Sequence, residues 1–132
     1  MVNNATDIGK QVEILGRYFI DAQTLATPAG FSAALYRSNL DGMLTALHQA
    51  GFSKAAVVAV AGDGPITHRD GAFLNYHLVI VDGERVLDPL CGEREPLEKS
   101  TYAARAFPGE IGVHLWKQTR ADEPGKYQTM LQ

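Results

Sequence analysis

A chain of 132 residues has room for one hydrophobic core and not for two. With 45% hydrophobic and 20% charged residues it has the composition of a chain that folds, which sets aside disorder and fibrous repeats. Twelve Lys and Arg against 15 Asp and Glu give a formal charge of −3, and the basic residues are scattered, so no cationic footprint for a phosphate backbone exists and nucleic acid is not an expected ligand.

The longest apolar runs, Ala55 to Ala61 and Leu78 to Val81, fall far short of the roughly 20 residues that cross a bilayer. Met1 to Lys10 has no basic stretch followed by an apolar one, so the expectation is a cytoplasmic protein, or one exported without a conventional signal peptide, with no membrane partner. The single cysteine, Cys91, rules out an intrachain disulfide and a Cys-based zinc cluster.

From Ile8, the apolar residues Val12, Leu15, Phe19, Ala22 and Leu25 recur three and four apart, which predicts one helix of about five turns. Thr6 or Asp7 caps its start, and Thr27-Pro28 ends it. A second helical pattern runs from Phe31 to Ala50, as one helix or as two short ones split near Ser38-Asn39, with Gly51 as its stop. Ala55 to Ala61, rich in valine and bounded by turn residues, reads as a buried strand, and Gly62 to Gly71 as a polar loop.

Phe73 to Val81 and Glu84 to Asp88 read as two strands joined at Asp82-Gly83, and Pro89 closes the second. A short helix over Leu97 to Phe107 and a last strand over Gly112 to Lys117 follow. Residues 1–119 are thus expected as one α+β domain, N-terminal helices followed by a mostly antiparallel sheet, with 120–132 a poorly ordered tail.

The hairpin carries the chemistry. If Asp82 and Gly83 are the two loop residues, Val81 opposes Glu84, Val79 opposes Val86, and His77 stands directly opposite Asp88 on one face. A carboxylate so placed holds one imidazole nitrogen and aims the other at a nucleophile. A four-residue loop instead opposes Val79 to Asp88, and a three-residue loop puts His77 and Asp88 on opposite faces. The alternative reading of the same residues is structural, with His77 half-buried in a strand and Asp88 stabilising the turn before Pro89.

The segment from Asn75 to Leu90, with His77 opening one strand, a glycine turn, and Asp88-Pro89 closing the next, resembles the histidine-and-aspartate half of papain-like and transglutaminase-like cysteine enzymes. It covers residues 72–91; downstream, Tyr102 and Phe107-Pro108-Gly109 are similar in arrangement to segments that follow that hairpin in small amidases of the clan. The resemblance implies a papain-like arrangement, His77 as general base and Asp88 as its orienting residue, acting on amide bonds of a protein or peptide as a peptidase or glutamine deamidase. It implies no metal and no organic cofactor.

Such enzymes place a cysteine upstream of the histidine, at a helix start where the N-terminal field lowers the thiol pKa, and this chain has none there. Ser32 takes that position, as a nucleophile, as a replacement for cysteine, or as a helix cap. Cys91 is the competing nucleophile or an inert buried residue. Gln23 and the first-turn amides near Ser32 are candidates for the oxyanion hole. The alternative function is a non-catalytic binding protein on the same fold, such as an inhibitor, an immunity protein or a phage accessory factor.

Other signals are weaker. His68, Asp70 and His77 match no HExxH pattern and the loop between them contains Gly71 and Phe73, so no metal is expected, and Gly62-Asp63-Gly64-Pro65 matches neither GxGxxG nor GxxxxGK(S/T). His114 shares the face of Trp116 as an ordinary sheet residue.

Overall fold

In the computed structural model, residues 4–27, 30–90, 95–118 and 127–129 are described. The first helix, α1 (Asn4–Tyr18), buries Gln11, Ile14 and Leu15. The continuous helix expected as far as Leu25 is broken, because the Ile20 amide leaves the helix to donate to the Pro89 carbonyl at 2.9 Å. Asp21 then takes the Thr24 amide on its carbonyl (2.9 Å) and the Gln23 amide on its carboxylate (3.0 Å), which starts a separate turn, α2 (Ala22–Leu25). A two-residue pair, β1 (Ala26–Thr27) with β2 (Gly30–Phe31), leads into the next helix.

Helix α3 (Ala33–Gln49) is one helix, not two. Ser32 caps it, its hydroxyl accepting the Leu35 amide at 3.4 Å, and Tyr36, Leu40, Met43 and Leu47 form its buried stripe. Its end is a Schellman motif: Phe52 N–H donates to Leu47 O at 2.9 Å and Gly51 N–H to His48 O at 3.1 Å, with Gly51 at φ 102. Leu40 is fully buried, so Leu40→Ala is expected to lower stability by about 2–5 kcal/mol in urea titration. A loss under about 1 kcal/mol would mean that α3 is not packed as described.

The main sheet has six strands, β3 (Ala56–Ala61), β6 (His77–Asp82), β7 (Arg85–Leu87), β8 (Leu97–Glu98), β9 (His114–Gln118) and β10 (Tyr127–Thr129), in the order β10-β9-β3-β6-β7-β8. Every neighbouring pair is antiparallel. The chain is therefore α+β, with helices first and an antiparallel sheet after. Tyr127–Thr129, within the stretch expected as a tail, pairs with β9, and the rest of 119–132 lies outside the described residues.

Element boundaries beyond α1 also differ from expectation. The strand expected over Phe73 to Val81 is two, because Phe73–Leu74 (β5) turns away to pair with Ile66–Thr67 (β4), which forms inside the expected polar loop. The helix expected over Leu97 to Phe107 shrinks to α4 (Tyr102–Ala106), since Leu97 and Glu98 extend the sheet beside β7. The strand after the hairpin stops at Leu87, leaving Asp88 free of the ladder.

The alternation of side chains splits the core in two. Ala59, Leu78, Ile80 and Leu87 pack with α1, α2 and α3, whereas Val58, Val60, Val79, Val81 and Val86 pack with Leu97, Tyr102, Phe107 and Leu115 on the other face. Gln11 ties α1 to the hairpin, its side-chain amide donating to Asp82 Oδ2 at 2.7 Å. Among the described residues no helix is long and apolar enough to cross a membrane.

Candidate functional site

The hairpin that carries His77 turns at Gly83-Glu84, not at Asp82-Gly83. Asp82 pairs with Arg85, Val81 with Val86 and Ile80 with Leu87, so the ladder is shifted by two residues from the expected register. Gly83 has φ 61, as a two-residue turn with glycine at its first central position requires. His77 and Asp88 are therefore not directly opposite. The shift is even, which keeps them on one face: extended past Leu87, this register sets Asp88 opposite Val79, diagonal to His77.

The diagonal is within reach. His77 Nε2 lies 3.0 Å from Asp88 Oδ1, which also accepts the Leu90 amide at 2.9 Å. The second carboxylate oxygen, Oδ2, receives His68 Nε2 at 2.9 Å and the Tyr102 hydroxyl. On its other nitrogen, His68 Nδ1 is 2.8 Å from Asp70 Oδ1. The result is a chain of groups, Asp70, His68, Asp88 and His77, in which one buried carboxylate is shared by two imidazoles and a phenol.

Aromatic rings wall this chain in. The Phe107 ring meets those of His68 and His77 edge-on, at centroid distances of 5.2 and 5.9 Å, and the two imidazoles are 5.0 Å apart. From the helical layer, Tyr36 brings its ring to 5.3 Å from that of His77 and donates its hydroxyl to the Leu78 carbonyl. The cluster is dry: relative exposure is 1% for His68, 2% for His77, 1% for Asp88 and nil for Tyr102 and Phe107.

Burial alone would push the Asp88 carboxyl up, but attraction to His77 and hydrogen bonds from His68 and His77 hold it well below the usual carboxylate range. Burial likewise disfavours charge on His68, and its hydrogen bonds to Asp70 and Asp88, with their charges, outweigh this and raise it from 6.5 to about 9. Asp70 is lowered: burial opposes ionisation, and the hydrogen bond and charge of His68 override it. The Tyr36 phenol is pushed well up by burial, then by the charges of Asp88 and Asp70, and stays neutral.

The hydrogen bonds fix proton positions. An ionised carboxylate only accepts, so Nε2 of His68 and Nε2 of His77 carry protons toward Asp88; Nδ1 of His68 meets both the Asp70 carboxylate at 2.8 Å and the Asp70 amide at 3.2 Å, and the shorter, charge-assisted contact places a proton there too. Among the described residues no group pairs with Nδ1 of His77. The ligand atoms of His68, His77 and Asp88 lie within 4.8 Å of one another, a spacing that a metal ion spans. A metal there would have to displace the proton of each Nε2 from Asp88, and His68 already supplies the positive charge that Asp88 needs.

Of the residues that the sequence offers as catalytic, His77 and Asp88 come together. Ser32 is the cap of α3, four residues before Tyr36, so the two share a helix face and Ser32 stands one turn from the side chain that covers His77. Gln23 is exposed in α2, with its amide on Asp21, and Cys91 lies outside the described residues. His114 is an exposed residue of β9, its ring 6.5 Å from that of Trp116.

His68 and Asp70, which the sequence offers beside His77 only as metal ligands of the wrong spacing, enter the site from the loop before β5. Tyr102 and Phe107, noticed only for their order after the hairpin, prove to close it. Compared with known protein families, with curated proteins and with solved structures, the chain matches none.

Proposed function

We propose that this domain is a small hydrolase of papain-like arrangement that cleaves amide bonds, with His77 as general base and Asp88 as the residue that orients it. The observation that carries this reading is the 3.0 Å contact between His77 Nε2 and an ionised Asp88, which fixes the ring with Nε2 on the carboxylate and Nδ1 turned away from it. The order of elements supports it: the α3 start, then β3, then the strand opened by His77, then Asp88. So does the position of Tyr36, which sets the first turn of α3 against His77.

In this reading the Ser32 hydroxyl gives its proton to His77 Nδ1 as its oxygen attacks the carboxamide carbon of a peptide bond or a glutamine side chain. His77 then returns the proton to the departing amine or ammonia, and water, activated by the same ring, releases the acid. First-turn amides of α3 face the developing oxyanion. The Ser32 hydroxyl has to give up its 3.4 Å contact with the Leu35 amide to do this, a weak bond to lose.

Turnover of peptide and glutamine-amide substrates, read as amine or ammonia release, tests the proposal. Ser32→Ala and His77→Gln are expected to lower the rate by about 100-fold or more, with Ser32→Ala melting within a few degrees of the parent. Equal turnover in Ser32→Ala would move the nucleophile to Cys91, checked by Cys91→Ser. Wild-type protein with no turnover of any such substrate would overturn the hydrolase.

One observation favours the second reading, a non-catalytic binding protein. His68, His77, Asp88, Tyr102 and Phe107 are each at least 98% buried, and Asp70 alone of the hydrogen-bonded chain reaches the surface, which suits a polar core network that fixes the hairpin and leaves a substrate no approach to His77 in this conformation.

A further inference from the structure

One carboxylate serves two imidazoles here, and the division of protons between them decides what His77 can do. A carboxylate facing a buried histidine favours a second proton on the ring, and a ring that holds both protons cannot act as a base. His68 changes that balance. Both of its nitrogens sit on carboxylates, Nδ1 on Asp70 at 2.8 Å and Nε2 on Asp88 at 2.9 Å, whereas His77 faces a carboxylate through Nε2 alone.

We propose that His68 is a positioning residue that carries the positive charge of the cluster, neutralises Asp88 from its Oδ2 side, and so leaves His77 neutral with Nδ1 bare. Two imidazolium rings 5.0 Å apart in a dry site repel each other, so the second proton is disfavoured once the first is on His68. The titratable groups facing the two rings are Asp70 from the same loop as His68, Asp88 after β7, Tyr102 from α4 and Tyr36 from α3, with Glu110 one residue away on the Thr67 amide. Of these, only Asp70 and Asp88 are hydrogen-bonded to an imidazole as carboxylates, and His68 has both. The inference rests on the reading of His77 as the base, and it adds a second group that holds that base unprotonated beside a buried aspartate.

Nitrogen-15 NMR of the histidine rings of the full chain at pH 7 tests it, because the shifts of Nδ1 and Nε2 report each proton separately. The wild type is expected to show His68 protonated on both nitrogens and His77 on Nε2 only. In His68→Gln the side-chain amide keeps the hydrogen bond to Asp88 without the charge, and the ratio of protonated to neutral His77 is expected to rise by about tenfold or more. Asp70→Asn, at a side chain 19% exposed, removes one of the two carboxylates from His68 and is expected to move His77 the same way even if His68→Gln does not fold.

A His77 ring doubly protonated in the wild type, or unchanged in whichever variants fold, overturns the inference. A wild type without turnover but with the expected proton pattern overturns the hydrolase reading and leaves the proton placement standing. Intact turnover with His77 unmoved by either substitution does the reverse.

Discussion

Replacing Asp88 with alanine is expected to destabilise the domain by about 3–5 kcal/mol, the largest effect of any single polar substitution in it. The reason lies in what the change strands. The His68 imidazolium loses one of its two counter-charges, while the Tyr102 hydroxyl, the Leu90 amide and His77 Nε2 lose their acceptor, all within a site that is 0–2% exposed. Each orphaned buried donor costs about 1–3 kcal/mol, and repacking or water entry recovers part of the sum. Tyr102→Phe, which removes one hydroxyl and leaves the carboxylate its other donors, is expected to cost about 1 kcal/mol. Urea titration of the two variants beside the parent gives the comparison. Equal losses would mean that Asp88 is already solvated in solution and that the network has no common centre.

The same network shows why the site was only half legible. His77 and Asp88 were found because each sits at a defined place in a hairpin, where a period of two and a turn signal tie residues eleven apart to one face. The register differs by two residues from that expected, since the backbone needs glycine at the first central position of the turn, which makes Gly83-Glu84, and not Asp82-Gly83, the two loop residues. Only the parity survived, and parity is what the side chains needed.

His68 and Asp70 offered no such handle. They lie in a loop whose path is set by the short β4 and β5 pairing, by the His68 amide on the Ala72 carbonyl (2.8 Å) and by the Arg69 amide on the Ala106 carbonyl (2.7 Å). Contacts between a loop and a distant helix have no period to read. Helix α3, by contrast, was legible in its stripe and its glycine stop, while the break after α1 depended on a carbonyl of Pro89, some 70 residues away.

Stability is expected to fall by roughly 3 kcal/mol between pH 6 and pH 9.5, a loss that His68→Gln removes. His68 gains its proton in the folded protein, with its titration raised from 6.5 to about 9, so its contribution is complete below pH 6.5 and is lost as the pH climbs through about 9. The carboxylates act in the opposite sense. Asp88 and Asp70 are lowered from 3.8, so what they contribute is complete above that pH and disappears only as the solution is acidified through their lowered values. Between the two limits, from about pH 4 to pH 6.5, both halves of the network are charged as the fold requires, and stability there should be flat and maximal. Tyr36, pushed up by burial, adds a further loss only above pH 10, outside the comparison. The alkaline slope thus isolates one proton on one ring. Denaturant midpoints at the two pH values, taken for the wild type and His68→Gln, read it directly, and an identical slope in both would mean that the cluster holds its charge on some group other than His68.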